Sequence, residues 1–441
     1  MKPLDPPADW RGIVRQLGPG VIISATIVGS GELIVTPKLG ASVGMTLLWF
    51  IIGGCVLKVF IQLALGRFAV SSGRTTLEAL DLVPGPRLRV SWVLWPFFLM
   101  FVAMIFQVAG IMGGVASIAQ IMGVPVSKKV AAIVIAIVTS VLLVSGRYKL
   151  VERVSLVFVV VFTLCTIAAM VALQSTPYAV TWAEIGEGLS FNLSPSTTVA
   201  FAAFGIIGVG AAELIYYPYW CLEKGYGKHV GPQDGSPAWT ARARGWLKVM
   251  QVDAWVACAI YTVATVAFYL LGAAVLHEEG MLVENADMIV TLSAMYQRTF
   301  GEWSLWLFLC GAFAVLYSTL FVATAANARL LVDSLSVLRV KRYADEAERA
   351  RWVKYACAAL PIAFTSVYLI WESPVTLVLI GALSQGLMLP FLAIGAIYLH
   401  HRRTEKSILP GRATVTALWL AGLAMITVGA YQFVTEIMKR V

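Results

Sequence analysis

The sequence is poor in the residues from which soluble active sites and metal centres are commonly built. Only 13% of its 441 residues are charged, against about 25% in an average soluble domain, and only 4 are histidines. The 6 cysteines lie singly, with no Cys-x-x-Cys pair, so neither a disulfide framework nor a thiolate metal cage is supported. No Gly-x-x-x-x-Gly-Lys-Ser/Thr motif is present, which disfavours an ATP-driven pump.

Apolar residues are abundant instead. They make up 59% of the chain, and the mean hydropathy is +0.82. A soluble protein of this composition could not hide its apolar surface, so we expect lipid to surround most of the chain. This excludes soluble enzymes and disordered scaffolds. Nucleic-acid binders are excluded as well, although the net charge is +9.

Long apolar stretches recur along the whole chain, and each can cross about 30 Å of hydrocarbon. They predict an all-α integral membrane protein of about eleven transmembrane helices. The predicted spans are 18–37, 44–66, 91–122, 128–146, 152–174, 197–221, 248–276, 303–328, 352–371, 374–399 and 413–436. We expect the polar residues 1–17 to form a cytoplasmic N-terminal segment that is not a cleavable signal peptide.

The basic residues indicate the orientation. When the N-terminus and every second loop are placed on one side, that side holds 26 of the 33 lysines and arginines and the other side holds 6. Such an excess marks the cytoplasmic side. We therefore expect a multi-pass protein of the inner or plasma membrane, with its N-terminus in the cytoplasm. Because the number of helices is odd, the C-terminus is expected outside.

An eight-residue pattern occurs twice in the chain. The first predicted helix contains VGSGELIV at 28–35, the sixth contains VGAAELIY at 209–216, and five positions are identical. Five helices separate the two copies, so the copies cross the membrane in opposite directions. This is typical of an inverted five-plus-five repeat. The pattern predicts one repeat at 18–174, a second at 197–399, and an additional helix at 413–436.

Each copy places a glutamate behind small residues near the membrane centre. A buried charge costs at least about 2.5 kcal/mol, so it normally faces a partner or a water-filled cavity. Small residues hold a helix poorly, and a broken helix leaves carbonyl oxygens that can join carboxylates in a cation site. We therefore predict one central site formed by Glu32, Glu213, Gly29, Val209 and Ala212. Alternatively, the glycines only allow close packing and the glutamates bond neighbouring helices.

Further motifs resemble the NRAMP family of proton-coupled divalent-metal transporters. The resemblance covers nearly the whole chain, and it implies a leucine-transporter-like fold with helices 1 and 6 broken. The matching motifs are Gly18-Pro19-Gly20, Leu47-Leu48-Trp49 through Gln62 to Arg67, Val252-Asp253, Ala274-Val275-Leu276-His277 and Leu387-Met388-Leu389-Pro390-Phe391.

The departures from the family pattern fall in its metal motifs. In place of Asp-Pro-Gly-Asn the first helix has Gly29-Ser30-Gly31-Glu32, and in place of Met-Pro-His the sixth has Ala212-Glu213-Leu214. The third-helix acids of the family align with Gln107 and Gly110, and its tenth-helix glutamine aligns with Met388. Proton coupling is therefore open: either glutamate can itself carry a proton, or the protein is a uniporter.

Oxygen ligands suit magnesium and manganese, whereas methionine sulfur favours softer metals. The sequence thus predicts a secondary transporter of divalent metal ions, manganese or magnesium before iron, that works by alternating access. The metal is then a substrate, no cofactor is expected, and the protein is not an enzyme. Two alternatives stay open. One is a transporter of a small organic cation or amino acid on the same fold, and the other is a non-transporting sensor.

Other polar residues are candidates for coupling or gating. Lys58 lies within the second helix, where it either extends to the cytoplasmic interface or pairs with a buried acid in place of a cation. Asp253, near the predicted start of the seventh helix, is either a partner for an arginine or a gating residue. Further candidates, each with an ordinary structural alternative, are Gln107, Tyr217, Gln385 and Met388. The expected partners are the lipid bilayer and the metal ion, and a monomer is plausible.

Overall fold

The computed structural model describes residues 3–145, 148–191, 203–284 and 287–438. Its first half contains α1 (Trp10–Gln16), α2 (Pro19–Ile27), a π-helical segment (Val28–Val35), α3 (Thr36–Val43), α4 (Leu48–Ser72), α5 (Thr76–Leu80), β1 (Arg87–Leu88), β2 (Val90–Ser91), α6 (Leu94–Ile121), α7 (Lys128–Val144), α8 (Tyr148–Ala172), a 3-10 turn (Leu173–Ser175) and α9 (Trp182–Gly188). The two short strands form an antiparallel hairpin.

The regular secondary structure described in the second half is all helical. It contains α10 (Ala211–Glu223), α11 (Tyr226–Val230), α12 (Pro237–Leu271), a second π-helical segment (Gly272–His277), α13 (Met288–Phe300), α14 (Ser304–Val337), α15 (Glu346–Ile370), α16 (Pro374–Arg402), a 3-10 turn (Lys406–Ile408) and α17 (Arg412–Met438).

Each of the eleven predicted spans coincides with helical structure in the described ranges, which confirms the all-α membrane architecture. Within those ranges, 8 helical stretches are long and apolar enough to cross a membrane. The seventh span starts earlier than predicted, at Pro237 rather than 248. Ser236 caps this start by accepting a hydrogen bond from the backbone N–H of Trp239. Asp253 therefore lies well inside α12 and not near its beginning.

The first span stays continuous, but its hydrogen bonding changes at the repeated motif. α2 passes into the π-helical segment, where each N–H reaches the carbonyl five residues back, and α3 follows. At its end the backbone N–H of Thr36 donates to the carbonyl oxygen of Gly31. The predicted break in helix 1 therefore takes the form of a widened turn.

The sixth span opens completely over residues 205–210, between helical residues 203–204 and α10. Gly208 has φ +62°, and a Cβ there would lie 2.7 Å from Sγ of Cys55 on α4. A Cβ on Gly205 would lie 2.4 Å from the carbonyl oxygen of Ala382 on α16. Only glycine fits at these two points. We call residues 205–210 the open segment, and it lies between α4 and α16.

Candidate functional site

Glu32 lies in the first π-helical segment and is fully buried. Its Oε1 accepts hydrogen bonds from the backbone N–H of Gly208, at 2.9 Å, and from Oγ1 of Thr265 on α12, at 2.8 Å. Its Oε2 has no hydrogen-bond partner among the described residues. The carboxylate therefore ties the first span to the open segment and to α12.

Lys58 on α4 is also fully buried, so its side chain does not extend to the membrane interface. Its Nζ donates to the carbonyl oxygen of Phe204 at 2.8 Å and to that of Ile207. Within the described ranges no carboxylate oxygen lies within 4.0 Å of Nζ, so no direct ion pair forms. The ammonium is nevertheless attracted electrostatically by Glu32 and Glu213.

Glu213 lies in the first turn of α10, with 9% of its surface exposed. A Cβ on Gly210 would be 2.5 Å from Oε2 of Glu213, so the carboxylate folds back over the start of the helix. The partial positive charge at a helix N-terminus stabilises such a carboxylate. Glu213 also lines a cavity of about 20 Å³, which is room for about one water molecule.

Five helices contribute to this cavity, which we call the Glu213 cavity. Besides Glu213, its hydrogen-bonding side chains are Thr26 on α2, Gln107 on α6, Tyr216 on α10, Thr319 on α14 and Gln385 on α16, and Met104 on α6 adds a thioether. The structure thus brings three predicted side chains and the backbone of a fourth residue, Ala212, to one place.

A chain of hydrogen bonds crosses one side of the cavity. The backbone N–H of Ala212 donates to Oε1 of Gln385 at 2.9 Å, and Nε2 of Gln385 donates to Oε1 of Gln107 at 2.8 Å. Gln385 therefore satisfies a backbone N–H that the start of α10 would otherwise leave unpaired. It also joins α16 to α6 and to the sixth span.

Four of these residues were not predicted: Thr26, Met104, Tyr216 and Thr319. Met104 stands three positions before Gln107 on α6, which places both side chains on one helix face. That spacing was the available signal for Met104. Tyr216 is buried, and its hydroxyl donates to Oδ1 of Asn327 at 2.7 Å.

Asp253 and Tyr217 do not line the Glu213 cavity. Oδ1 and Oδ2 of Asp253 accept from the backbone N–H groups of Gly18, at 2.8 Å, and Gly20, at 2.6 Å. The hydroxyl of Tyr217 donates to Oδ2 of Asp253 at 3.1 Å. Asp253 therefore caps the N-terminus of α2, and the expected arginine partner is absent from the described residues.

The remaining predicted residues lie in three different settings. A Cβ on Gly29 would be 1.8 Å from Oγ1 of Thr319, so this glycine lets the first span approach α14 closely. Val209 is fully buried in the open segment. Met388 lines a separate, mainly apolar cavity of about 440 Å³ between α6, α16 and α17. The structure does not place Met388 with Glu213.

The two repeated glutamates are close enough to repel each other electrostatically, but only Glu213 lines the cavity. Among the described residues no group of three or more His, Cys, Asp or Glu side chains is placed to hold a metal ion. A cation in the Glu213 cavity would therefore meet one carboxylate, several neutral oxygen atoms and one thioether.

Known proteins are similar to this chain over most of its length. The Nramp family, described as natural resistance-associated macrophage protein-like, matches residues 20–435. An uncharacterized protein of Pasteurella multocida is 25% identical over 354 residues, covering 76% of this chain and 73% of that protein. A divalent metal cation transporter, MntH, of Caldanaerobacter subterraneus is 22% identical over 325 residues, covering 73% of this chain and 72% of that protein.

A solved structure has the same fold. The crystal structure of a mutant manganese transporter of Eremococcus coleocola superposes with a TM-score of 0.68 at 14% sequence identity. The match covers 97% of this chain and 88% of that protein. The likeness confirms the predicted transporter architecture.

Proposed function

This chain belongs to the Nramp family of membrane transporters, which are not enzymes, and on that premise we propose that it carries divalent metal ions across the bilayer, manganese or magnesium before iron. Metal is for this family a transported substrate and not a cofactor. The names of the MntH relative and of the manganese transporter support the same substrate class.

The observation that carries the proposal is the position of Glu213. Its carboxylate is buried at the start of a half-helix, beside a cavity lined by five helices of the bundle. A buried carboxylate at such a point is costly unless a cation or hydrogen-bond donors compensate it. Cation sites in transporters of broken-helix architecture lie at such interruptions. Glu213 is thus the side chain best placed to attract a metal ion from water.

The ligand chemistry favours manganese first. The carboxylate of Glu213 and the neutral oxygens of Gln107 and Thr26 suit hard divalent ions. The thioether of Met104 adds one softer ligand, which magnesium uses poorly and manganese tolerates. A cavity of about 20 Å³ is smaller than an amine or amino acid, so this conformation favours an ion over an organic substrate.

We propose alternating access around this site. The open segment interrupts the sixth span between residues 203–204 and α10, so α10 can tilt without breaking a continuous helix, whereas the first span is helical throughout. Widening the cavity admits a partly hydrated ion, and closing it strips water from the ion. Membrane potential favours inward movement by about 2.3 kcal/mol per charge per 100 mV.

The experiment is uptake into proteoliposomes. The wild type should take up Mn²⁺ and, more weakly, Mg²⁺ down an imposed gradient, and Glu213→Gln should abolish both because the amide cannot replace the negative charge. Glu302→Gln, in an exposed loop, is the matched control and should transport normally. A pH dye trapped in the same vesicles reports whether protons move with the metal.

The outcomes separate the alternatives. Metal uptake by Glu213→Gln at the wild-type rate would exclude this carboxylate as the metal ligand. If no divalent ion is transported while an amine or amino acid is, the organic-substrate hypothesis replaces ours. Absence of flux with either class would favour a sensor.

We also propose that the N-terminus faces the cytoplasm, because the basic residues concentrate on its side of the membrane. Reporter domains fused to each terminus test this orientation. Activity of a cytoplasm-specific reporter at the C-terminus, rather than the N-terminus, would reverse the proposed topology.

A further inference from the structure

The open segment exposes backbone carbonyl oxygens inside the membrane, where every such group needs a partner. In broken helices of transporters, cations commonly take that role. Here Nζ of Lys58 takes it, bonding the carbonyl oxygens of Phe204, at 2.8 Å, and Ile207. The ammonium of Lys58, a residue of α4, thus occupies a position that suits a cation.

Two carbonyl oxygens and an aromatic ring surround this ammonium. A lysine ammonium has three N–H groups, and two of them are engaged by the carbonyl oxygens. The ring of Phe204 lies 4.6 Å from Nζ, a distance at which a ring face attracts a cation. No part of the Lys58 surface is exposed, so the ammonium is shielded from bulk solvent.

A single peptide unit connects this ammonium to Glu32. The carbonyl oxygen of Ile207 accepts from Lys58, and the next N–H along the chain, that of Gly208, donates to Oε1 of Glu32 at 2.9 Å. The peptide dipole is therefore aligned with a cation at its oxygen end and an anion at its hydrogen end. Glu32 and Lys58 therefore hold the open segment from its two sides.

We propose that Lys58 is a tethered competitor of the transported metal: a metal ion attracted by Glu213 must displace the ammonium from the carbonyl oxygens of Phe204 and Ile207 in order to complete its set of oxygen ligands. The return of Lys58 to these oxygens then helps to expel the metal. The proposal rests on the proposed function as a divalent-metal transporter. It assigns to Lys58 a role in setting metal affinity and release, beyond holding the helix in place.

Equilibrium binding of Mn²⁺ to the purified full chain tests the proposal. Lys58→Gln and Lys58→Met remove the charge, so each should lower the Kd at least about tenfold, and uptake at saturating Mn²⁺ should become slower because release is no longer assisted. The matched control is Lys38→Gln. Lys38 also donates to a backbone carbonyl, that of Val283 at 2.7 Å, but this carbonyl lies outside the open segment. Its loss should leave the Kd unchanged.

A second variant separates competition for the carbonyl oxygens from simple charge repulsion. Phe204→Leu keeps the lysine charge but removes the ring beneath the ammonium, so it loosens the hold of Lys58 on the oxygens. Competition predicts a lower Kd for Phe204→Leu as well, whereas repulsion alone predicts no change. This variant also retains both hydrogen bonds of Lys58, so it serves if the lysine variants do not fold.

The results distinguish this inference from the proposed function. If the wild type binds no divalent ion, the proposed function fails. If the wild type binds and transports Mn²⁺ but Kd is unchanged or higher in the Lys58 variants and in Phe204→Leu, only the tethered competitor is overturned.

Discussion

The two copies of the repeated motif share five of eight residues but have different structures. In the first copy the chain stays helical, widened to a π-helix, and Glu32 points across to the open segment and α12. In the second copy the chain opens before the motif, and Glu213 lies in the first turn of a new helix beside a cavity. Similar sequences therefore occupy different settings: Glu32 bonds the backbone of the open segment, whereas Glu213 lines the cavity in which we propose that the ion binds.

The difference originates in the residues before each motif. Residues 22–27, which precede the first copy, contain no glycine and no proline, and they form a regular α-helix. Before the second copy, glycines at 205 and 208 pack directly against the backbone of α16 and a side chain of α4. Gly208 takes a left-handed conformation that a helix cannot contain. Tertiary contact, rather than the motif itself, decides which copy opens.

The largest effect is expected from a substitution that fills the space between the open segment and α16. Gly205→Ala puts a Cβ about 2.4 Å from two backbone atoms of α16, which cannot move as a side chain would. We expect a loss of about 3 kcal/mol, seen as a lower melting temperature in detergent. Gly53→Ala on α4 meets nothing within 4 Å and should be neutral or slightly stabilising. Equal melting temperatures of the Gly205→Ala and Gly53→Ala variants would show that the open segment can move to make room for the added Cβ.

Asp253 caps the N-terminus of α2, whereas Gln385 caps that of α10, and Asp253→Asn tests this contrast. An amide has one oxygen, so the variant can no longer accept from both Gly18 and Gly20, and α2 should lose about 1–3 kcal/mol of anchoring. Hydrogen exchange of α2 should accelerate, while that of α10, capped by Gln385, should not.

Asp287→Asn is the matched control for the Asp253 variant. Asp287 stands at the N-cap of α13 and makes no side-chain cap bond there, so its replacement should leave exchange unchanged. Faster exchange in α10 as well as α2 after Asp253→Asn would mean that the two helix starts are not independent.

A smaller effect is expected at Met104, which belongs to neither copy. Met104→Leu removes the thioether from the Glu213 cavity and keeps the volume, so the ratio of Mn²⁺ to Mg²⁺ uptake should fall about threefold. Met100→Leu, one turn earlier and facing the separate apolar cavity, is the control and should keep the wild-type ratio. An unchanged ratio in Met104→Leu would show that the thioether of Met104 does not contribute to selectivity between Mn²⁺ and Mg²⁺.

Much of the fold could be predicted from the sequence, because apolar spans and the repeated motif are visible in local stretches of sequence. All eleven predicted spans contain helix, and the small residues before Glu213 predicted an interruption of the sixth span, which the structure has at residues 205–210. The π-helical form of the first copy was not predictable, because it depends on partners such as Gly208 and Thr265 from distant parts of the chain.

The candidate site was less accessible to prediction. The sequence identified Glu213, Gln107, Gln385 and Ala212, which the structure gathers around one cavity. It did not reveal that Asp253 would cap α2, since this bond joins residues more than 230 positions apart. Nor could it show that Lys58 bonds carbonyl oxygens instead of a carboxylate. Every residue has a backbone carbonyl, so residue type does not indicate which carbonyl oxygens accept a hydrogen bond.

The most direct measurement compares Mn²⁺ affinity in Glu213→Gln and Glu32→Gln, with the melting temperature of each variant recorded alongside. If Glu213 meets the ion and Glu32 organises the backbone, Glu213→Gln should weaken binding at least about tenfold with little change in melting temperature. Glu32→Gln should bind within about threefold of the wild type yet melt at a lower temperature, since its carboxylate holds Gly208 and Thr265. Loss of binding in Glu32→Gln with normal binding in Glu213→Gln would contradict the division of roles.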